Sequence, residues 1–299
     1  MATGFAPGGA WPRQPARFPL NTYQQELDAL AAAGGPRQRF FTVFWLMMGI
    51  FPVVMSGTTP SVAVPAMRAW FHISHLEAQV VASVFLAGMT VGMLLSGGWI
   101  GSIGVRSAFR LILGVFMAAS VVASVLPPGA FIVMAAARAV QGVAAGAAQA
   151  LAMMAVMPVY PPQERGRAMA VYGYGIILSP IAGPFVGGIL NSWLGWQSVF
   201  LFTLPFCALS SWRGARRLPR NAPPDLPRTV RLLPSLLLCG FVVGLTGAFL
   251  TGARDLALAG ALAALGAGSL ALLVRVQARA KPQMPDFGLL RPPAGPGAR

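Results

Sequence analysis

Acidic side chains are scarce in this 299-residue sequence: seven aspartates and glutamates stand against 22 lysines and arginines. All seven (Glu26, Asp28, Glu77, Glu164, Asp225, Asp255 and Asp286) fall in tails, in loops or at the ends of apolar runs. A carboxylate at mid-membrane depth, the usual titratable group of a proton relay, is therefore missing. Histidine is as rare. His72 and His75 share one loop with no cysteine beside them, which leaves a zinc site incomplete. Cys207 and Cys239 each lie inside an apolar run, so neither a disulfide framework nor a metal site is expected. No GxxxxGKS or GxxxxGKT loop occurs, which removes support for ATP-driven transport. No constellation of nucleophile and base is present, so the chain is expected to be no enzyme and to need no cofactor. Charge itself is thin, at 10% of residues against about 25% in average globular domains.

What is abundant is apolar. Hydrophobic residues make up 56% of the chain and the mean hydropathy is +0.67, which places the sequence in the membrane class. Eight apolar segments separate at charges and Pro/Gly turns: 40–64, 77–100, 109–126, 131–156, 168–190, 198–212, 232–252 and 256–274. A spanning helix needs about 20 predominantly apolar residues. The third and sixth segments are shorter and are assigned by pairing with their neighbours. The expected fold is an all-α polytopic membrane protein with about eight transmembrane helices: a six-helix bundle over 40–212 and a two-helix hairpin over 232–274. A largely disordered tail (1–39), a basic linker (213–231) and a C-terminal tail (275–299) flank these units.

The pI of 11.7 invites a nucleic-acid reading, but the placement of the charges argues against it. With eight alternating spans and a cytoplasmic N-terminus, the inside receives Arg13, Arg17, Arg37 and Arg39, then Arg106 and Arg110, then Arg165 and Arg167. Six arginines between 213 and 231 and five basic residues from 275 to 299 follow, making 19 of the 22. Arg68 and Arg254 fall outside, and Arg138 lies within a span. This asymmetry is the positive-inside signal, with both termini cytoplasmic.

Arg138, in FIVMAAARAVQGVAAGAAQALAMMAV, lies about 10 Å in from the outer end of the fourth segment. An arginine at such depth faces a cavity or partner, or else snorkels to the headgroups. Gln141 follows it, and Gly142 with Gly146 forms a small-xxx-small face. In the first segment Ser56, Thr58 and Thr59 lie between Pro52 and Pro60, at a depth matching Arg138. These hydroxyls either line a binding site opposite the arginine or bond to carbonyls one turn back. The fifth segment carries GIILSPIAGPFVGGIL (175–190), in which Pro180 and Pro184 remove backbone donors and Gly183, Gly187 and Gly188 leave bare helix surface. Such a run predicts a kinked, closely packed transmembrane helix.

With these residues in view, the chain resembles the major facilitator superfamily, and within it the fourteen-helix drug:proton antiporters. GIILSPIAGPFVGGIL is similar to the family's antiporter motif in helix 5, with Pro180, Gly183, Pro184, Gly187 and Gly188 in place. RAVQGVAAG (138–146) is similar to its helix 4 motif, whose arginine and glutamine are implicated in coupling. GGWIGSIGVRSAFR (97–110) keeps Gly97, Gly104 and Arg106 of the gating loop after helix 2. NSWLGWQSVFLFTLPF (191–206) resembles the helix 6 entry, with Trp196 and Pro205 matching. The hairpin followed by PDFGLLR looks like the insert of the fourteen-helix type. Ser56 stands where the family has an acidic residue, and Gly101 where it has an aspartate. The second six-helix half has no counterpart among these residues.

The resemblance implies a proton-coupled multidrug efflux permease of the bacterial inner membrane that exports hydrophobic compounds by alternating access. Arg138, Gln141, Ser56, Thr58 and Thr59 are its implied substrate and coupling residues. The partners implied are the lipid bilayer and small hydrophobic substrates; protons, a second copy of the chain or a periplasmic adaptor protein stay open, and nucleic acid is not expected. The alternative is a truncated fragment without transport activity, inert or an interaction module, which the low-complexity terminus RPPAGPGAR favours.

Overall fold

The computed structural model describes residues 36–160, 164–220 and 256–279, and six positions between 237 and 248. The N-terminal tail through Gly35, the linker from 221, most of the seventh segment including Cys239, and the C-terminal tail from 280 lie outside the described residues. The chain divides into two compact units, 1–230 and 231–299.

The first unit is a helical bundle. Its helices are α1 (Pro36–Met55), α2 (Val64–Phe71), α3 (His75–Ile103), α4 (Val105–Ser124), α5 (Phe131–Val159) and α6 (Arg165–Leu194). Two short helices, α7 (Ser198–Leu201) and α8 (Thr203–Leu209), and a π-helical turn at Ser210–Gly214 complete it. Among the described residues, six helical stretches are long and apolar enough to cross a membrane: five in this unit, α1 and α2 counting as one stretch from Arg39 to Phe71, and Leu256–Val276 in the second. The expected all-α membrane architecture is what the bundle shows.

Local chemistry explains the boundaries. Ser74 starts α3 by accepting from the Glu77 N–H while the Glu77 carboxylate takes the Ser74 N–H, a reciprocal capping box. Glu77 thereby serves as a helix cap. Gly104 ends α3 at φ +82°, a conformation that glycine adopts without a Cβ penalty. The LPPG turn after Val125 likewise uses Gly129 at φ +85°. The sixth segment is interrupted at Phe202, because Pro205 cannot donate to the Leu201 carbonyl one turn back.

Helix α5 runs through the middle, packed along α3 and also against α4, α1 and α6. Backbone contact sets the α3–α5 seam. A Cβ at Gly92 would collide with the Val143 carbonyl, one at Gly142 with the Phe85 carbonyl, and one at Gly146 with the Met89 carbonyl. Two buried clusters flank the seam. One gathers Ile50, Phe109, Phe116 and Leu151; the other gathers Met67, Phe71, Met134, Trp196 and Phe200.

In the second unit, α9 (Leu256–Arg279) is the described helix. The described positions between 237 and 248 are helical, and a Cβ at Gly244 would lie 2.6 Å from the Gly266 nitrogen of α9. Backbones approach closely at this point.

Candidate functional site

Proline chemistry in the first span prepares the site. Pro60 has no N–H, so the α-helical bond to the Ser56 carbonyl four residues back cannot form. Helix α1 stops at Met55 and a 3-10 turn, Thr59–Ala63, carries the chain into α2. The Ser56 carbonyl is left at the C-terminal end of α1, where the helix dipole is negative and attracts cations.

Arg138 occupies that position. Its side chain is 0% exposed. Nη2 donates to the Ser56 carbonyl at 3.2 Å, Nε to the Val81 carbonyl of α3 at 3.3 Å, and Nη1 to Gln141 Oε1 at 3.0 Å. Gln141 Nε2 donates to Ser120 Oγ of α4 at 2.7 Å, and Ser120 donates onward to the Phe116 carbonyl at 2.9 Å. The guanidinium lies 4.2 Å from the centre of the Phe85 ring and 5.8 Å from that of Phe200. Burying an unpaired cation costs several kcal/mol. Here carbonyl dipoles, a helix end and two aromatic faces offset that cost without any carboxylate. The snorkelling alternative does not hold, since the side chain points into the bundle and reaches no headgroup.

The hydroxyls expected beside Arg138 divide their work differently. Ser56 Oγ donates to the Val53 carbonyl at 2.7 Å and Thr59 Oγ1 to the Met55 carbonyl at 2.7 Å, each one turn back. They repair the broken helix end rather than line an open cavity. Thr58 crosses to α6: its hydroxyl donates to the Pro180 carbonyl at 2.9 Å, and more weakly to the Met55 carbonyl at 3.3 Å. Pro184 explains the first bond, because it cannot donate to Pro180 four residues back. Ser179 Oγ adds a bond to the Phe51 carbonyl at 2.8 Å. A proline on each helix therefore frees one carbonyl, and a side chain from a neighbouring helix takes each.

The five motif residues of α6 do not act alike. A Cβ at Gly183 would collide with Thr58 Oγ1, and one at Gly187 with the Thr59 carbonyl. Gly188 has nothing within 4 Å of such a Cβ, so in this bundle it packs against no helix.

At the opposite end of the bundle, Arg106 of the expected gating loop makes a clamp. Its Nε donates to the Leu218 carbonyl at 3.0 Å, and Nη2 donates to the carbonyls of Leu218 at 2.6 Å and Arg216 at 3.2 Å. Its backbone N–H donates to the Pro219 carbonyl at 3.2 Å. Helical structure therefore continues past the expected boundary at 212 through Arg217, with its last carbonyls capped by this side chain. Gly104 sets the turn before Arg106, and Gly97 lies inside α3.

Sequence reasoning missed Ser120, Phe85, Phe200 and Ser179 as members of these networks, and Gly92 as the counterpart of Gly142 and Gly146. The phenylalanines carry no signal apart from the arginine they face. Gly88 and Gly92 repeat every fourth residue and so offered one.

The fold and the site define a polytopic membrane protein in which the proline-broken end of one helix meets a buried arginine. The chain belongs to the Major Facilitator Superfamily, whose family model matches residues 46–274. It is 31% identical over 228 residues to the puromycin resistance protein pur8 of Streptomyces alboniger, covering 75% of this chain and 44% of that protein. It is 29% identical over 202 residues to multidrug resistance protein D of Escherichia coli, covering 67% of this chain and 50% of that protein. The chain thus spans half or less of the length of these curated relatives. In fold it is similar to a crystal structure of the peptide transporter POT in complex with alafosfalin, with TM-score 0.55 and 16% identity over 78% of this chain and 55% of that one.

Proposed function

We propose that the chain forms the N-terminal bundle and following hairpin of an exporter of small hydrophobic compounds, driven by proton exchange in a bacterial inner membrane. The observation that carries this reading is the Arg138 site: an unneutralised buried cation joins α5 to the broken end of α1, to α3 and, through Gln141, to α4. Intramembrane ionisable groups of this kind mark pathways and relays. The names of the relatives, which speak of puromycin and multidrug resistance, support the substrate class. In this reading coupling runs through the Arg138–Gln141–Ser120 chain, since no carboxylate lies at that depth. The opposing bundle that alternating access requires comes from a second six-helix unit.

Expression in a host stripped of its own exporters tests the proposal. Accumulation of a fluorescent hydrophobic dye falls several-fold when the chain is present together with the second six-helix unit, and an uncoupler restores it. Arg138→Ala abolishes the export at unchanged membrane level; full export by that variant would overturn the assigned role. Unaltered dye accumulation would support a second reading, a membrane module without transport. A cytoplasm-only reporter fused after Arg299 is active in the proposed orientation, and activity of a periplasm-only reporter there would reverse it.

A further inference from the structure

An apolar groove of about 560 Å³ runs between α1, α6 and the α7–α8 segment. Phe44, Met48, Phe51 and Met55 form one wall, facing Leu190 and Phe206. From residue 44 to residue 55 the groove follows α1 for about 16 Å. That is about half of a hydrocarbon core roughly 30 Å thick, the depth of a single leaflet.

Its Phe44 end meets a cluster of rings and guanidiniums. The Phe44 and Trp45 rings touch edge to face, with centres 5.6 Å apart. Arg213 lies over both Trp45 and Trp212, 5.3 Å from each ring centre, and Arg216 lies 5.3 Å from that of Trp212. Arg217 lies 6.0 Å from the centre of Phe41. Trp212, Arg213 and Arg216 are exposed. Among the described residues, no carboxylate and no hydrogen-bond acceptor engages these three guanidiniums. Aromatic faces hold and order them while their N–H edges stay open to a planar or tetrahedral oxyanion.

We propose that this cluster and groove form a site for one anionic phospholipid. The phosphate accepts from Arg213, Arg216 and Arg217, and an acyl chain lies along α1 from Phe44 toward Met55. A neutral hydrophobic guest would fill the groove but leave the cluster unused, and free phosphate would do the reverse. The pairing of three unmatched cations with an adjoining groove one leaflet deep favours a single amphiphile that answers both. The site is independent of the export reading, and its test reads lipid binding alone.

The full chain, purified in a neutral detergent, is titrated with phosphatidylglycerol or with phosphatidylcholine of the same acyl length, and bound lipid is counted by native mass spectrometry. Phosphatidylglycerol binds at least tenfold more tightly. The double variant Arg213→Gln/Arg217→Gln loses that preference, whereas Arg165→Gln/Arg167→Gln, at the start of α6, retains it. Met48→Trp fills the groove and weakens binding of both lipids several-fold. Equal affinity for the two lipids, an undiminished preference in the first double variant or an equal loss in the second would each overturn the site. Full competition by inorganic phosphate alone, or unaltered lipid affinity in Met48→Trp, would overturn the groove's part in it.

Discussion

The α3–α5 seam and the α1–α6 joint both depend on residues that break or thin a helix, yet they hold by different physics. In the seam, glycines on both helices let backbone meet backbone, and every added methyl would strike a carbonyl. Nothing there can yield, because the obstructing atoms belong to two intact helices. In the joint, Thr58 meets a carbonyl freed by Pro184, with Gly183 and Gly187 making room for the contact. A hydroxyl has other carbonyls within reach, as its longer bond to Met55 illustrates. The seam therefore makes α3 and α5 one body, whereas the joint is held by bonds that can be exchanged.

Steric substitutions in the seam are expected to have the largest effect. Overpacking costs about 1–3 kcal/mol even where neighbours can shift. The pair Gly92→Val and Gly146→Val should exceed that range and leave no folded monomer on size exclusion in detergent. Gln141→Leu comes next. It strands an Arg138 N–H, at about 1–3 kcal/mol for a buried group left unmade, while the Ser120 hydroxyl keeps its bond to the Phe116 carbonyl. A clear fall in thermal midpoint is expected, and an unchanged one would show that the relay is not structural. Thr58→Val is milder, about 0.6 kcal/mol and at most roughly 1.7, as for other interhelical hydrogen bonds in membranes. The smallest effect belongs to Gly188→Ala, within about 0.5 kcal/mol of the parent. Destabilisation there equal to that of Gly187→Ala would break the distinction between packed and open glycines.

Much of this was legible beforehand, for identifiable reasons. Hydropathy located the helical runs long enough to cross, because a bilayer demands runs of apolar residues. The prolines were legible as lost backbone donors, each leaving a carbonyl four residues back without its helical partner. Which donor reaches each one depends on the rotation of neighbouring helices, which local sequence does not encode. Thr58 was therefore grouped with Arg138, although it serves α6. Gly183 and Gly187, four residues apart, share a small-residue face; Gly188 was named in the same motif, but successive residues on a helix point about 100° apart. Arg106 was attached to a gating loop by resemblance, while its carbonyl partners lie more than a hundred residues away.

The helices of the first unit also differ in length. Helix α4 has 20 residues, about 30 Å, whereas α3, α5 and α6 have 29, 29 and 30, about 44 Å each. Long helices absorb a change in membrane thickness by altering their tilt; a helix that only just spans cannot. In a thicker bilayer α3, α5 and α6 stand more upright, while the lipid around α4 must thin to meet it. Hydrophobic mismatch therefore bears more heavily on α4 than on the longer α3, α5 and α6.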